Sequence, residues 1–459
     1  MFEFRSVHIG FALLFFVLYW ITAKINILNN GLLFIFGLAF YAWGNLFYAL
    51  ALFGLICFNF ILLQIFFQKE QCSKLILVAA LAGNIAVWIV LKFSLLPITE
   101  NNQPATGLLP VGMSFYMLRI ISVLVQVYKG RMKEIPGFIA FGLYIAYMPQ
   151  LLSGPIEMPD SFLQQVQSER SLDKKCVQKA LSLFVLGLIK KMVIADNLGL
   201  VIDTIFRLEQ PSILLVMLGS AGFYAALFAD FSAYTDISRG ISFLLGFETS
   251  KNFNQPILAA SPQDFWNRWH ITFSNWLRDH IFYPLRRWCL RKFGKEHPLW
   301  AIILPPLATM AVSGLWHGNG WTYIVWGVYH GCLMVAFQIL PKKKAVIARE
   351  RSGGKHIFTW AITNGLVVMG WAIFRAPSLE WLWSVLMSGN IGLRGYDGVV
   401  LLSIAGTIFG YILPLLIKMV VDHCERFKTI LEPIYYALAL LLLIIFSNSG
   451  VRGFLYTGF

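Results

Sequence analysis

WAIILPPLATMAVSGLWHGNGWTYIVWGVYHGCLMVAFQIL, residues 300–340, decides the fold. Two apolar arms, near 300–315 and 321–340, flank a polar, glycine-rich turn, Trp316-His-Gly-Asn-Gly-Trp321. A basic stretch from Arg287 to Lys295 precedes the pair, and Lys342-Lys343-Lys344 follows it. Loops rich in Lys and Arg mark the cytoplasmic side of a membrane. Two such loops around one pair of apolar segments predict a helical hairpin whose turn is Trp316–Trp321. The first arm is short, so the turn is expected to end within the membrane. Irregular backbone at that depth is tolerated where it is buried in protein or lines a cavity, and His317 would stand at the wall or end of that cavity.

The rest of the chain agrees with this hairpin. Of 459 residues, 58% are hydrophobic and only 13% charged, against about 25% charged in soluble domains. So few charges cannot cover a water-soluble body of this size, and lipid must solvate most of the surface. A helical crossing takes about 20 residues. Candidate spans fall near 7–23, 31–49, 50–67, 75–96, 108–128, 137–154, 178–203, 212–229, 300–315, 321–340, 357–375, 398–420 and 431–448. Some are short or polar, so about eleven true spans are expected. Alternating strand patterns are absent, which leaves helices as the spanning elements. The apolar run near 9–21 behind Arg5 is followed by no small-x-small cleavage site and reads as a retained first span. The expected fold is an all-α integral membrane protein, one multi-pass domain over 1–459, with interfacial or re-entrant helices besides its spans. Its core motifs fall at 108–340 and extra spans at 357–459.

The net charge of +14 sits in short stretches between apolar runs, including Lys129-Gly-Arg-Met-Lys133, Arg286-Arg287 and Arg291-Lys292. That is the pattern of membrane topology and not of a nucleic-acid surface. Cysteines 57, 72, 176, 289, 332 and 424 are scattered without a CxxC pair, so neither a disulfide framework nor a metal site is indicated.

Three clusters carry chemistry. In Ser261-Pro-Gln-Asp-Phe-Trp-Asn-Arg-Trp-His270, a cap, a proline and Asp264 predict a helix start. Trp266, His270, Phe273 and Trp276 then recur at three- and four-residue spacing on one expected helix face, with Arg268 and Arg278 on others. An interfacial amphipathic helix explains the aromatics; a functional histidine explains His270, and both readings stand. In the second cluster His317 is a candidate general base, because neutral imidazole is abundant at pH 7. A hydroxyl attacking a thioester needs such a base, and the resulting oxyanion needs donors. Trp316, Asn319 and the glycine N–H groups are the candidates. The third cluster, Phe228 to Gly240, places Asp230, Asp236 and Arg239 in an apolar run. Buried charges are usually paired, so a structural network is expected, with Asp236 and Arg239 pairing at three-residue spacing.

FWNRWHITFSNWLRD at 265–279 followed by SGLWHGNGWTYIVWGVYHG at 313–331 resembles the membrane-bound O-acyltransferase family. The likeness falls within its bacterial branch of polysaccharide-acetylating and teichoic-acid D-alanylating proteins. It extends to LLPVGMSFYMLRIISVLVQVYKG at 108–130, MPQLLSGPI at 148–156, DFSAYTDISRG at 230–240 and FETSKNFNQPI at 247–257. Two positions depart from the usual pattern: Pro284-Leu-Arg-Arg-Trp288, and the charged Arg239. The resemblance implies helices around a central tunnel, His317 as the essential residue and His270 as a second functional histidine. Trp266, Arg268, Trp269, Trp276, Arg278 and Asp279 become expected tunnel or substrate contacts. The spans beyond His330, FRAPS at 374–378 and the tail Phe454–Phe459 lean toward the polysaccharide acetyltransferases.

By this resemblance the protein sits in a bacterial cytoplasmic membrane. It binds no resident cofactor and takes acetyl-CoA or another acyl thioester as donor. The acceptor is a polysaccharide or an acyl-carrying protein, and an extracytoplasmic acetyltransferase partner is expected. D-Alanyl transfer from a phosphopantetheine carrier protein and transport without chemistry are the competing readings.

Overall fold

The computed structural model describes residues 6–68, 74–94, 110–132, 134–294, 296–339, 354–392 and 428–446, with isolated positions at 398, 401, 404–406 and 453. Every regular element among them is helical. Among the described residues seven helices are long and apolar enough to cross a membrane: Asn26–Gly44, Leu46–Phe66, Lys74–Lys92, Ile213–Leu244, Trp300–His317, Trp321–Ile339 and Ile357–Arg375. Shorter apolar helices cover Gly10–Ile21, Met113–Tyr128, Phe138–Gln150 and Pro433–Phe446. The fold is therefore the expected all-α membrane protein, although these helices do not fix the count at eleven. Most of the expected span 398–420, the Lys342–Lys344 loop, the tail from Phe454, Cys72 and Cys424 lie outside the described residues.

The chain forms two compact units. The first comprises residues up to Ser182 with Ser238–Ser250. It holds α1 (Ser6–Ile21), α2 (Asn26–Gly44), α3 (Leu46–Gln68), α4 (Lys74–Ile89), α5 (Met113–Tyr128), α6 (Phe138–Ala146), α7 (Pro159–Gln167) and the start of α8 (Lys174–Leu188). Its core is aromatic and aliphatic, with Phe34, Tyr41, Leu52, Ile56, Phe141, Tyr144, Phe162 and Phe247 all buried. Two buried arginines are held inside it through their terminal nitrogens. Arg170 donates to Tyr19 Oη (3.1 Å), Asn29 Oδ1 (2.5 Å) and Asn30 Oδ1, and lies over the Phe247 ring. Arg119 donates to both oxygens of Gln150 and to Tyr144 O. Gln150 in turn donates to Glu157, whose carboxylate accepts from the N–H and hydroxyl of Ser250. The motifs at 108–130, 148–156 and 247–257 thus supply a shared polar network, as buried charge requires.

The second unit comprises 183–237 and 251–457. In it lie α9 (Asp196–Arg207), most of α10 (Ile213–Leu244), α11 (Pro262–Arg268), α12 (Ile271–Leu277), α13 (Tyr283–Phe293), α14 (Trp300–His317), α15 (Trp321–Ile339), α16 (Gly354–Arg375) and α17 (Leu379–Met387). The expected hairpin is α14–α15. Bare glycine backbone lets its arms touch: a Cβ on Gly314 would stand 2.2 Å from Tyr323 O, and one on Gly327 2.3 Å from Met310 O. The first arm is not short. It stays helical through His317 and stops where Gly318 turns extended.

A further expectation changes. The apolar run 178–203 is not one regular helix: a π-helical stretch, Ile189–Ala195, separates α8 from α9. That stretch carries Lys190 and Lys191, which explains the break from a plain apolar span. Lys190 Nζ lies 2.6 Å from Asp236, and Lys191 Nζ lies 2.9 Å from Asp230 and 2.8 Å from Asp196. Asp236 therefore takes Lys190 as a partner. In the first unit, the Arg239 Nε donates to Thr249 O at 3.1 Å.

Candidate active site

The RWH segment folds as two short helices, not as the single amphipathic helix its spacing predicts. Ser261 caps α11 as expected: its hydroxyl accepts the Asp264 N–H at 3.1 Å, and Asp264 returns a bond to the Ala260 N–H. The helix ends at Arg268. His270 then takes a left-handed backbone, φ 42°, and α12 starts beyond it. That conformation costs a residue with a Cβ on the order of 1 kcal/mol or more and persists only where surroundings hold it.

Asn252 does the holding. Its Oδ1 accepts the Thr272 N–H (3.2 Å) and hydroxyl (2.9 Å) and meets His270 Nδ1 at 3.2 Å. Its backbone carbonyl accepts the Ile271 N–H at 2.9 Å. Both Asn252 and His270 are buried. Burial pushes the His270 imidazole well below its ordinary pKa, and the neighbouring His317 pushes it the same way. His270 is outside the membrane-spanning helices and is held neutral.

His317 is the last residue of α14 and is buried. Its ring is walled by Trp316 (4.9 Å between centroids), Trp326 on α15 (5.3 Å), Phe374 on α16 (5.3 Å) and Phe273 on α12 (6.2 Å). Phe273 and Trp316 also touch His270, at 4.9 and 6.2 Å. The two histidines thus border the same aromatic pair. An imidazole enclosed by rings and stripped of bulk water is suited to taking a proton from one bound hydroxyl.

The remaining expected residues divide. Trp266 packs on Trp326 at 5.8 Å, and Trp269 packs on Trp371 at 5.1 Å and on Phe253 at 5.2 Å. Arg268 pairs with Asp264 and donates to Asn254 O, and Arg278 donates to Asn267 Oδ1. Trp276 stacks on His280 at 4.6 Å, Asp279 is half-buried in the π-helical turn that follows, and Asn319 is exposed at the hairpin turn. Among the described residues no group of three or more His, Cys, Asp or Glu is arranged for a metal ion.

Sequence reasoning gave no role to Asn252, Lys190, Lys191 or His330. The lysines carried a usable signal, being two charges inside an apolar run. Asn252 carried none, since its partner lies 18 residues on and no local pattern marks it.

The model of the MBOAT, membrane-bound O-acyltransferase family, matches residues 59–343. A probable alginate O-acetylase AlgI of Pseudomonas aeruginosa is 31% identical over 373 residues, covering 77% of this chain and 68% of the relative. Another, from Pseudomonas syringae pv. tomato, is 36% identical over 277 residues, 60% of this chain and 50% of the relative. A peptidoglycan O-acetyltransferase of Helicobacter pylori is 29% identical over 394 residues, 78% of this chain and 73% of the relative. The chain therefore spans between half and about two thirds of the alginate relatives' length.

Proposed function

Since the chain belongs to the membrane-bound O-acyltransferase family, we propose that it moves an acetyl group from a cytoplasmic thioester to a hydroxyl of an exported or cell-surface polysaccharide, with His317 as base. The observation that carries this reading is the enclosure of His317 at the end of α14 by rings from three other helices. It is a multi-pass protein of the bacterial inner membrane, and the route between donor and acceptor runs through the protein.

The acceptor oxygen attacks the thioester carbonyl carbon while its proton passes to the His317 imidazole. A C–O bond forms, the C–S bond breaks, and the departing thiolate takes the proton from the imidazolium. The step leaves one ester and one thiol with no net proton. His270, neutral and fixed by Asn252, orients the acceptor or completes the wall. A separate extracytoplasmic protein relays the acetyl group where the polysaccharide cannot enter. The acetyl assignment, in preference to D-alanyl, is supported by the O-acetylating relatives.

Everted membrane vesicles supplied with acetyl-CoA labelled in its acetyl group test the donor. Label should appear on glycan in an alkali-labile form and be lost with His317→Ala. Label that persists at the wild-type rate in that variant contradicts the reading.

A further inference from the structure

On α15, Trp326 and His330 stand four residues apart and so share a face. Trp326 is the centre of a ring cluster. Its centroid lies 5.3 Å from His317, 5.0 Å from His330, 5.8 Å from Trp266 and 5.9 Å from Trp371. Trp266, Trp326, Trp371 and His330 are each more than nine-tenths buried. Yet the indole nitrogens of all three tryptophans, and Nε2 of His330, meet no hydrogen-bond partner among the described residues. An indole N–H can only donate. Three such donors in one ring cluster, with no acceptor among the described residues, call for an acceptor oxygen from a bound group.

The facing helix repeats the pattern. Thr309 and Ser313 stand eight and four residues before His317, on its side of α14. Both are buried, and neither hydroxyl has a partner among the described residues. The buried helical hydroxyls of Ser122, Ser220, Thr235 and Ser242 bond the carbonyl four residues earlier, while those of Ser238 and Thr363 share the state of Thr309 and Ser313. The contacts of Gly314 with Tyr323 and of Gly327 with Met310 fix the register. Ser313 then falls level with Ile324 and Thr309 level with Val328, each two residues from Trp326 and His330 along α15.

A third helix packs directly on His330. A Cβ on Gly370 of α16 would lie 2.6 Å from His330 Nε2 and 3.3 Å from the Tyr329 ring, so the bare glycine is what lets the His330 ring sit against α16. The rings that complete the cluster are Phe265 against His330 and Phe374 against Trp326 and Trp371, all uncharged.

We propose that this cluster is the acyl pocket, in which the Trp326, Trp266 and Trp371 N–H groups receive the carbonyl oxygen of a neutral acyl group and reject one that bears an ammonium. Aromatic walls suit a short hydrocarbon, and donors without an acceptor suit a carbonyl oxygen. A buried ammonium would need a carboxylate, and the cluster contains none. The proposal rests on the reading of His317 as the base of acyl transfer. It makes Trp326 a donor to the oxyanion and His330 a residue that sets pocket depth.

The test uses the full chain in everted membrane vesicles, supplied separately with acetyl-CoA, propionyl-CoA and D-alanyl-CoA. Thiol release is read against vesicles carrying His317→Ala. Acetyl-CoA should turn over, and D-alanyl-CoA at least about tenfold more slowly. Trp326→Phe keeps a ring and removes the donor; kcat should fall about 10²-fold with the donor KM little changed and thermal unfolding intact. Gly370→Ala keeps every donor but must push the His330 ring into the cluster, and should lose propionyl more than acetyl turnover. Should Trp326→Phe not fold, Gly370→Ala and His330→Gln carry the same test. D-Alanyl turnover equal to acetyl, or wild-type rates and acyl preference in these variants, overturns the pocket. Release of no thiol above the His317→Ala baseline from any thioester contradicts the acyl-transfer reading itself, and the pocket with it.

Discussion

Asn252 Oδ1 lies 3.2 Å from His270 Nδ1, and the same oxygen accepts the Thr272 N–H. A backbone N–H can only donate, so the amide is fixed with its oxygen toward both groups. The neutral His270 ring must then carry its proton on Nδ1 and its lone pair on Nε2. One buried amide sets the left-handed backbone, the tautomer and the ring direction together.

Asn252→Leu removes that acceptor while nearly preserving volume. Acetyl transfer should fall about 10²-fold, the scale of a misplacement near 1 Å. The loss should appear in kcat rather than in donor KM, at unchanged membrane levels. Asn252→Asp keeps an acceptor oxygen and should restore part of the rate. Steady-state kinetics in membrane vesicles check this, and full activity in Asn252→Leu would remove His270 orientation from the account.

The neutral state of His270 gives stability a defined pH dependence. An unfolded histidine titrates near about 6.5, whereas burial depresses the folded value well below it. The folded protein then binds fewer protons than the unfolded chain, so this contribution is full above about pH 6.5 and declines as pH falls toward the folded value. The unfolding temperature of the wild type should drop more steeply between pH 7 and 5 than that of His270→Gln. Parallel slopes would contradict a buried neutral imidazole.

Lys191 is shared by Asp230 and Asp196. Lys191→Met leaves the fully buried Asp230 without that counter-charge, a change worth about 3–5 kcal/mol. Thermal unfolding of the purified protein in detergent should show a large loss. Adding Asp230→Asn should recover part of it, because the uncompensated charge is then gone. A Lys191→Met protein as stable as wild type would show that the network does not support the fold.

Gly327 sets how closely the hairpin arms approach, with Met310 O 2.3 Å from where its Cβ would be. Gly327→Ala should separate the arms, cost about 1–3 kcal/mol as other overpacking does, and shift Trp326 against His317. Lower unfolding temperature and lower activity should come together, and activity at the wild-type level would show that the hairpin tolerates the shift.

What could be read from sequence follows from the range of the interactions. Hydropathy over about 20 residues is a property of each segment alone, so the helical membrane fold and the α14–α15 hairpin were legible. So was the Ser261 cap, whose partner is three residues away. The break at His270 was not, because local spacing fitted one helix and Asn252, 18 residues upstream, overrides it. The Lys190–Asp236 pair was not legible for the same reason: the two residues stand 46 positions apart along the chain. His330 stood in a quoted motif without a role, since only the arrangement of Trp326, Trp266 and Gly370 around it reveals an unmet nitrogen.

The most direct test of the account is ester-linked acetate on the surface glycans of cells carrying wild-type protein or His317→Ala at matched membrane levels. Acetate should be present with wild type and fall to background with the variant, while the protein still inserts and unfolds at the wild-type temperature. Acetate unchanged in His317→Ala would contradict the assignment of His317 as the base.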